Sequence, residues 1–145
     1  VFIIDCLKGV AALWLASALG TGRIGMAVAA IAVVLGHIFP VQLHFRGGKG
    51  ASSALGALLV LAPVVAITSL LVSAALYLIS RKAVASGVAT FALMPAFAFV
   101  FGRSTSDLIA VTAITALLLA THRSSLAEIA GMFRRRKPVT GESAR

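Results

Sequence analysis

A lysine set among glycines is the feature of this chain best suited to chemistry: Phe45-Arg46-Gly47-Gly48-Lys49-Gly50-Ala51-Ser52-Ser53. Glycines lack a Cβ, so the backbone there can bend sharply and come close to a ligand. The apolar run that follows predicts a helix whose free N–H groups and positive dipole end face the loop. That combination suits an anion, phosphate above all. Lys49 and Arg46 add full charges, and Ser52 or Ser53 could add hydroxyl donors. A plain interfacial turn, with glycines for geometry and bases for orientation, accounts for the same residues. A nucleotide-binding P-loop does not, because Leu43 stands at its first glycine position and Gly50 follows the lysine.

Other polar residues flank the apolar segments. Asp5 and Lys8, three apart, share one helical face. Charges inside an apolar span are costly and face a partner or a wet cavity, so they form a mutually satisfied pair or Lys8 borders a site. His37 ends one apolar segment beside the glycine loop. His122 ends another beside Arg123. Each could be a simple polar cap, and His44 reads as loop surface. No carboxylate or cysteine lies at ligand spacing from these histidines, so neither a metal nor another cofactor is expected. The single cysteine, Cys6, excludes an intrachain disulfide. No Ser-His-Asp or Cys-His arrangement is present. The expected chemistry is electrostatic: holding anions, neutralising developing charge and aligning reactants.

The elements that must position these groups are apolar helices. Of 145 residues, 60% are hydrophobic and 12% charged, against roughly 45–50% and ~25% in soluble domains. No Lys, Arg, Asp or Glu occurs in residues 24–45, 50–80 or 83–102. A span needs ~20 mostly apolar residues. The reading is an all-α, polytopic transmembrane bundle of five to six membrane helices. Segments are expected at 2–19, 24–38, 51–80, 83–101 and 107–121. Pro63 divides the third into a short or re-entrant helix and a full one, and Pro95 is a candidate kink. Residues 1–123 form the membrane domain and residues 124–145 a basic tail, with Arg134, Arg135, Arg136 and Lys137 against anionic headgroups. The net charge of +9 gathers at segment ends, which argues against a nucleic-acid partner.

Counting bases near the spans orients the bundle. With the tail in the cytoplasm, Arg23 and Arg103 fall outside and Lys8 lies within the first helix, leaving ten of the 13 Lys and Arg inside. Lys8, the 46–50 loop, Arg81–Lys82 and His122–Arg123 then share one cytoplasmic mouth. The chain opens on Val1 within an apolar run, and the protein is expected to begin further upstream.

The run GHIFPVQLHFRGGKGASS, residues 36–53, closely resembles a signature of the bacterial acyl-phosphate-dependent glycerol-3-phosphate acyltransferases. Asp5-x-x-Lys8-Gly9 resembles the opening of that family's second helix, and His122-Arg123 the start of its third motif. The spacing of the three blocks fits, so the resemblance covers most of the chain. It implies acyl transfer from a fatty acyl phosphate to the 1-hydroxyl of glycerol 3-phosphate, giving lysophosphatidate and phosphate in a bacterial inner membrane. It also implies that Gly47, Gly48, Lys49 and Gly50 cradle phosphate, that His37 supports the loop, and that His122 lines the polar pocket. Lys49 and His122 are then the expected catalytic residues. Arg46, Ser52, Ser53, Lys8 and Arg123 are the further expected phosphate contacts, and membrane lipids are partners. The chain departs from the pattern in three places. The family's Ser-Gly-Asn motif, which should precede the first helix, is absent. Ser125 replaces the asparagine of the third motif, and Glu128 lies too early for its glutamate. Val84 and Gly87 stand where serines are common. A non-catalytic membrane protein of the same fold, binding lipid phosphate or scaffolding other enzymes, is the second reading. A small transporter, without the internal repeat it should carry, is the third.

Overall fold

The computed structural model describes residues 1–40 and 48–134. Among these residues it is all-helical: α1 (Phe2–Ala18), α2 (Gly22–Ile38), α3 (Ala51–Leu61), α4 (Pro63–Ser80), α5 (Ala83–Val100), α6 (Thr105–Thr121) and α7 (Arg123–Arg134). α4 and α5 are long and apolar enough to cross a bilayer, and α2, α3 and α6 are shorter apolar helices. Trp14, Ile79 and Phe99 are more than two-thirds exposed on the outside of the bundle. Lipid, not water, is the solvent that tolerates such side chains.

The breaks follow local chemistry. Pro63 disfavours a helical residue before it. Ala62 accordingly leaves the helix at φ −145°, and Pro63 starts α4 from its first turn. Pro95 lies inside α5, which continues past it to Val100. α6 starts at Thr105, two residues before the expected Asp107, because Ser104 caps it: the Asp107 N–H donates to Ser104 Oγ at 3.3 Å. The tail also differs from expectation. Residues 123–134 form α7, which packs against α5 and α6.

α3 is the central short helix, packed against α1, α2, α4 and α6. Its contact with α1 is close because glycines face each other. A Cβ on Gly9 would lie 2.7 Å from Ala57 N, and one on Gly56 would lie 2.8 Å from the Cys6 carbonyl carbon. Small residues permit such backbone approach between membrane helices. The remaining core is aliphatic, with Leu13, Val34, Leu58, Leu61, Ile114 and Leu118 fully or almost fully buried.

Candidate active site

The antiparallel order of the helices brings the start of α1, the end of α2, the start of α3 and the end of α6 to one end of the bundle. The loop before α3 is held there from two sides. On one side, Asp5 is buried on α1, with Oδ1 3.3 Å from Lys8 Nζ and 3.6 Å from His37 Nδ1. The His37 ring points its Nε2 edge at Gly48: a Cβ there would meet Nε2 and lie 3.2 Å from both Cδ2 and Cε1. Only glycine fits against that edge. Gly50 is buried on Val34 and Ile38 and adopts φ +83°, the left-handed region that glycine enters without strain, and it caps α3.

On the other side, Thr121 Oγ1 lies 2.9 Å from the Lys49 carbonyl and 2.9 Å from the Leu118 carbonyl. One hydroxyl proton serves the two oxygens in turn. Next to it, His122 is buried and its Nδ1 lies 2.7 Å from the Leu118 carbonyl. A carbonyl only accepts, so Nδ1–H donates, which leaves Nε2 as the nitrogen free for chemistry. The edge of Phe91, with ring centroids 5.4 Å apart, fixes the tilt of the imidazole.

These clasps orient the loop and leave its lysine free. The Lys49 side chain is exposed and has no hydrogen-bond or ion-pair partner among the described residues. The first N–H groups of α3, which follow this lysine directly, have no helical partner, and unpaired backbone donors beside a full positive charge suit an anion.

The other expected residues are distributed unevenly. Lys8 is mostly exposed beside Asp5. Arg123 is exposed at the start of α7. Ser52 is buried, and Ser53 is fully buried against α1, its hydroxyl without a partner among the described residues. Its carbonyl faces Gly9, so Ser53 belongs to the helix packing and not to the mouth. Arg46 and Gly47 lie outside the described residues. Ser125, at the position of the family asparagine, is buried beside His122. Thr121, Asp5 and Phe91 were not among the expected site residues. The one available signal for Thr121 was a hydroxyl directly before His122.

Beside the loop, a cavity of about 160 Å³ opens between α3, α4 and α5. Ala51, Leu58, Ser69, Phe91 and Met94 are among its walls. It begins at Ala51, next to the capping glycine, and shares Phe91 with His122. Its walls are mostly apolar, so it suits an apolar group. The site therefore pairs a cationic, N–H-rich mouth with an adjoining apolar pocket, a geometry that fits an amphiphile with an anionic head.

The sequence profile described as "Glycerol-3-phosphate acyltransferase" matches residues 1–131. The glycerol-3-phosphate acyltransferase of Burkholderia thailandensis is 37% identical over 128 residues, covering 86% of this chain and 63% of the relative. That of Aromatoleum aromaticum is 34% identical over 125 residues, covering 86% and 64%. The chain thus spans a little under two-thirds of the length of these relatives. Two crystal structures of PlsY (YgiH), an integral membrane glycerol 3-phosphate acyltransferase, superpose on the fold. The glycerol 3-phosphate form gives a TM-score of 0.82 at 31% identity, covering 90% of this chain and 66% of that one. The lysophosphatidic acid form gives 0.83, also at 31% identity, covering 90% and 67%. Helix order, the exposed apolar surface and these neighbours identify a membrane protein. With the profile matched along nearly its whole length, the chain belongs to the glycerol-3-phosphate acyltransferase family.

Proposed function

We propose that this chain supplies the acyl-transfer centre of a phospholipid-forming enzyme that takes glycerol 3-phosphate and a fatty acyl phosphate to lysophosphatidate and inorganic phosphate. The observation that carries the proposal is the double clasp of the loop, with the Nε2 edge of His37 against Gly48 and Thr121 on the Lys49 carbonyl, directly beside an apolar cavity. The relatives' names and the two ligand forms of PlsY support glycerol 3-phosphate as the acceptor and lysophosphatidate as the product.

In this reading the acyl chain enters the cavity past Ala51 and Phe91 and continues into the bilayer. The phosphates meet Gly48, Lys49, Gly50 and the first turn of α3, with Lys8 and Arg123 around the mouth. The 1-hydroxyl oxygen attacks the acyl carbon, the carbon–oxygen bond to phosphate breaks, and phosphate leaves with the bonding pair. His122 Nε2 accepts the hydroxyl proton, because Nδ1 is committed to Leu118. The protein lowers the barrier by holding the hydroxyl ~3–3.5 Å from the acyl carbon. Lys49 and the backbone N–H groups stabilise the oxygens on which charge develops. The orientation that follows from the basic residues puts this mouth and the C-terminus on the cytoplasmic face of a bacterial inner membrane.

The test is an acyltransferase assay on membranes containing the full-length protein, with acyl phosphate and labelled glycerol 3-phosphate. Product formation that falls at least ~10²-fold in Lys49→Ala, with insertion and thermal stability unchanged, is the expected result. Near-normal turnover by Lys49→Ala would sink the proposal. Ser125 in place of the family asparagine favours one rival, a protein that binds lipid phosphate without turning it over. Glycerol 3-phosphate binding without product from the inserted wild type would select that rival.

A further inference from the structure

At the opposite end of the bundle from the loop, two arginines bridge a buried carboxylate and one backbone carbonyl. Asp107, in the first turn of α6, is fully buried. Its Oδ2 accepts from Arg103 Nη2 at 2.9 Å and also from Arg23 Nη2. The same two guanidinium nitrogens reach the Leu61 carbonyl, Arg103 at 2.8 Å and Arg23 at 3.5 Å. Leu61 is the last residue of α3. The break at Ala62–Pro63 removes the helical partner of its carbonyl, which leaves an orphan acceptor in an apolar setting. Two cations at a helix C-terminus also complement the negative end of its dipole. Arg23, in the first turn of α2, and Arg103, in the link before α6, are the two bases that fall on the side poor in positive charge. Orientation does not explain them, whereas Asp107 and Leu61 do.

α3 is free of helical continuity at both ends, with a glycine loop before it and a break after it. Against α1 it presents glycines and other small residues, a smooth surface with no large knob to stop it sliding. Its axial position must be fixed at its termini. We propose that Arg23, Arg103 and Asp107 form a pin that holds the far end of α3 and so positions the glycine loop for phosphate. The lever is the helix itself, 11 residues or about 16 Å long. Arg103 and Arg23 are positioning residues that touch no substrate. Their effect on turnover rests on the acyl-transfer reading, but their effect on α3 does not.

The test uses the full-length protein in lipid nanodiscs. Arg103→Met removes one hold on Leu61 while Arg23 still pairs Asp107, so no buried carboxylate is left alone. Arg103→Lys keeps the charge and is the rescue variant. Hydrogen exchange in residues 50–56 is expected to accelerate at least ~10-fold in Arg103→Met, with α4 and α5 unchanged and most of the protection regained in Arg103→Lys. In the same variant, KM for glycerol 3-phosphate rises at least ~10-fold while KM for acyl phosphate stays within about twofold. Unchanged exchange at residues 50–56, or faster exchange spread evenly over all helices, overturns the pin. A wild type without turnover removes the kinetic readout and counts against the acyl-transfer reading, while the exchange comparison still decides the pin.

Discussion

Gly56→Ala sets two opposing effects against each other, and the structure decides which wins. In a helix interior the change removes a flexible residue, which favours folding by about 0.8–1 kcal/mol. Against this, the new Cβ would sit 2.8 Å from the Cys6 carbonyl carbon and 3.1 Å from its Cα, with the Cys6 oxygen closer still. Carbon pairs are comfortable at about 3.5–4.0 Å, so α1 must back away from α3 by roughly 1 Å. The obstructing atoms are backbone, and no rotamer change relieves them. Overpacking of this kind costs about 1–3 kcal/mol, and backbone against backbone belongs at the upper end. The net expectation is a loss of about 2 kcal/mol. At roughly 2–4 °C per kcal/mol for a chain of this size, the thermal midpoint in detergent falls by about 4–8 °C. Gly87→Ala is the internal control. It also lies within a helix, but its Cβ would meet only Phe91 Cζ, at 3.9 Å, so it should melt at or slightly above the wild type. A Gly56→Ala protein as stable as Gly87→Ala would refute the close α1–α3 packing, and with it the placement of Asp5 beside His37.

Two further outcomes separate the walls of the candidate site. Gly48→Ala drives a Cβ into the His37 ring, so glycerol 3-phosphate KM should rise about tenfold. The double variant with His37→Ala should regain part of that loss, and strictly additive effects in the cycle would show that ring and loop do not touch. Ala66→Leu fills the cavity floor beside Leu58 and Met94, so turnover of long-chain acyl phosphates should fall at least ~10-fold relative to short-chain ones. Equal loss across chain lengths would exclude the cavity as the acyl pocket.

Much of the fold was legible because membrane helices are written in the simplest code a sequence has. Uncharged runs fixed α2, α4 and α5 to within a residue or two, and Pro63 alone divided α3 from α4. α7 escaped because its composition is mixed. A helix of that kind carries no long apolar run, only spacing, and Leu126 and Ile129 sit among charges that read equally well as a tail. Ser104 was passed over for the related reason that a single capping hydroxyl matters only once the helix is known to start there.

The candidate site divides along the same line. The glycine loop announces itself because glycine and lysine in that order have few uses beside an apolar helix. What holds the loop is legible only in His37, which the family resemblance implied; Thr121 and Asp5 are individually ordinary and become partners only through tertiary packing. Thr121 is 72 residues from the carbonyl it reaches, and Arg23 is 84 residues from Asp107. Sequence spacing says nothing about such pairs. The charged residues that do pair also show which cations are spoken for. Arg23 and Arg103 share Asp107 and Leu61 at one end of α3, and Lys8 shares Asp5 at the other. Lys49 is held by its backbone alone. A lysine whose carbonyl is clamped while its ammonium group is exposed has been fixed in place without being neutralised, which is the arrangement a phosphate site requires.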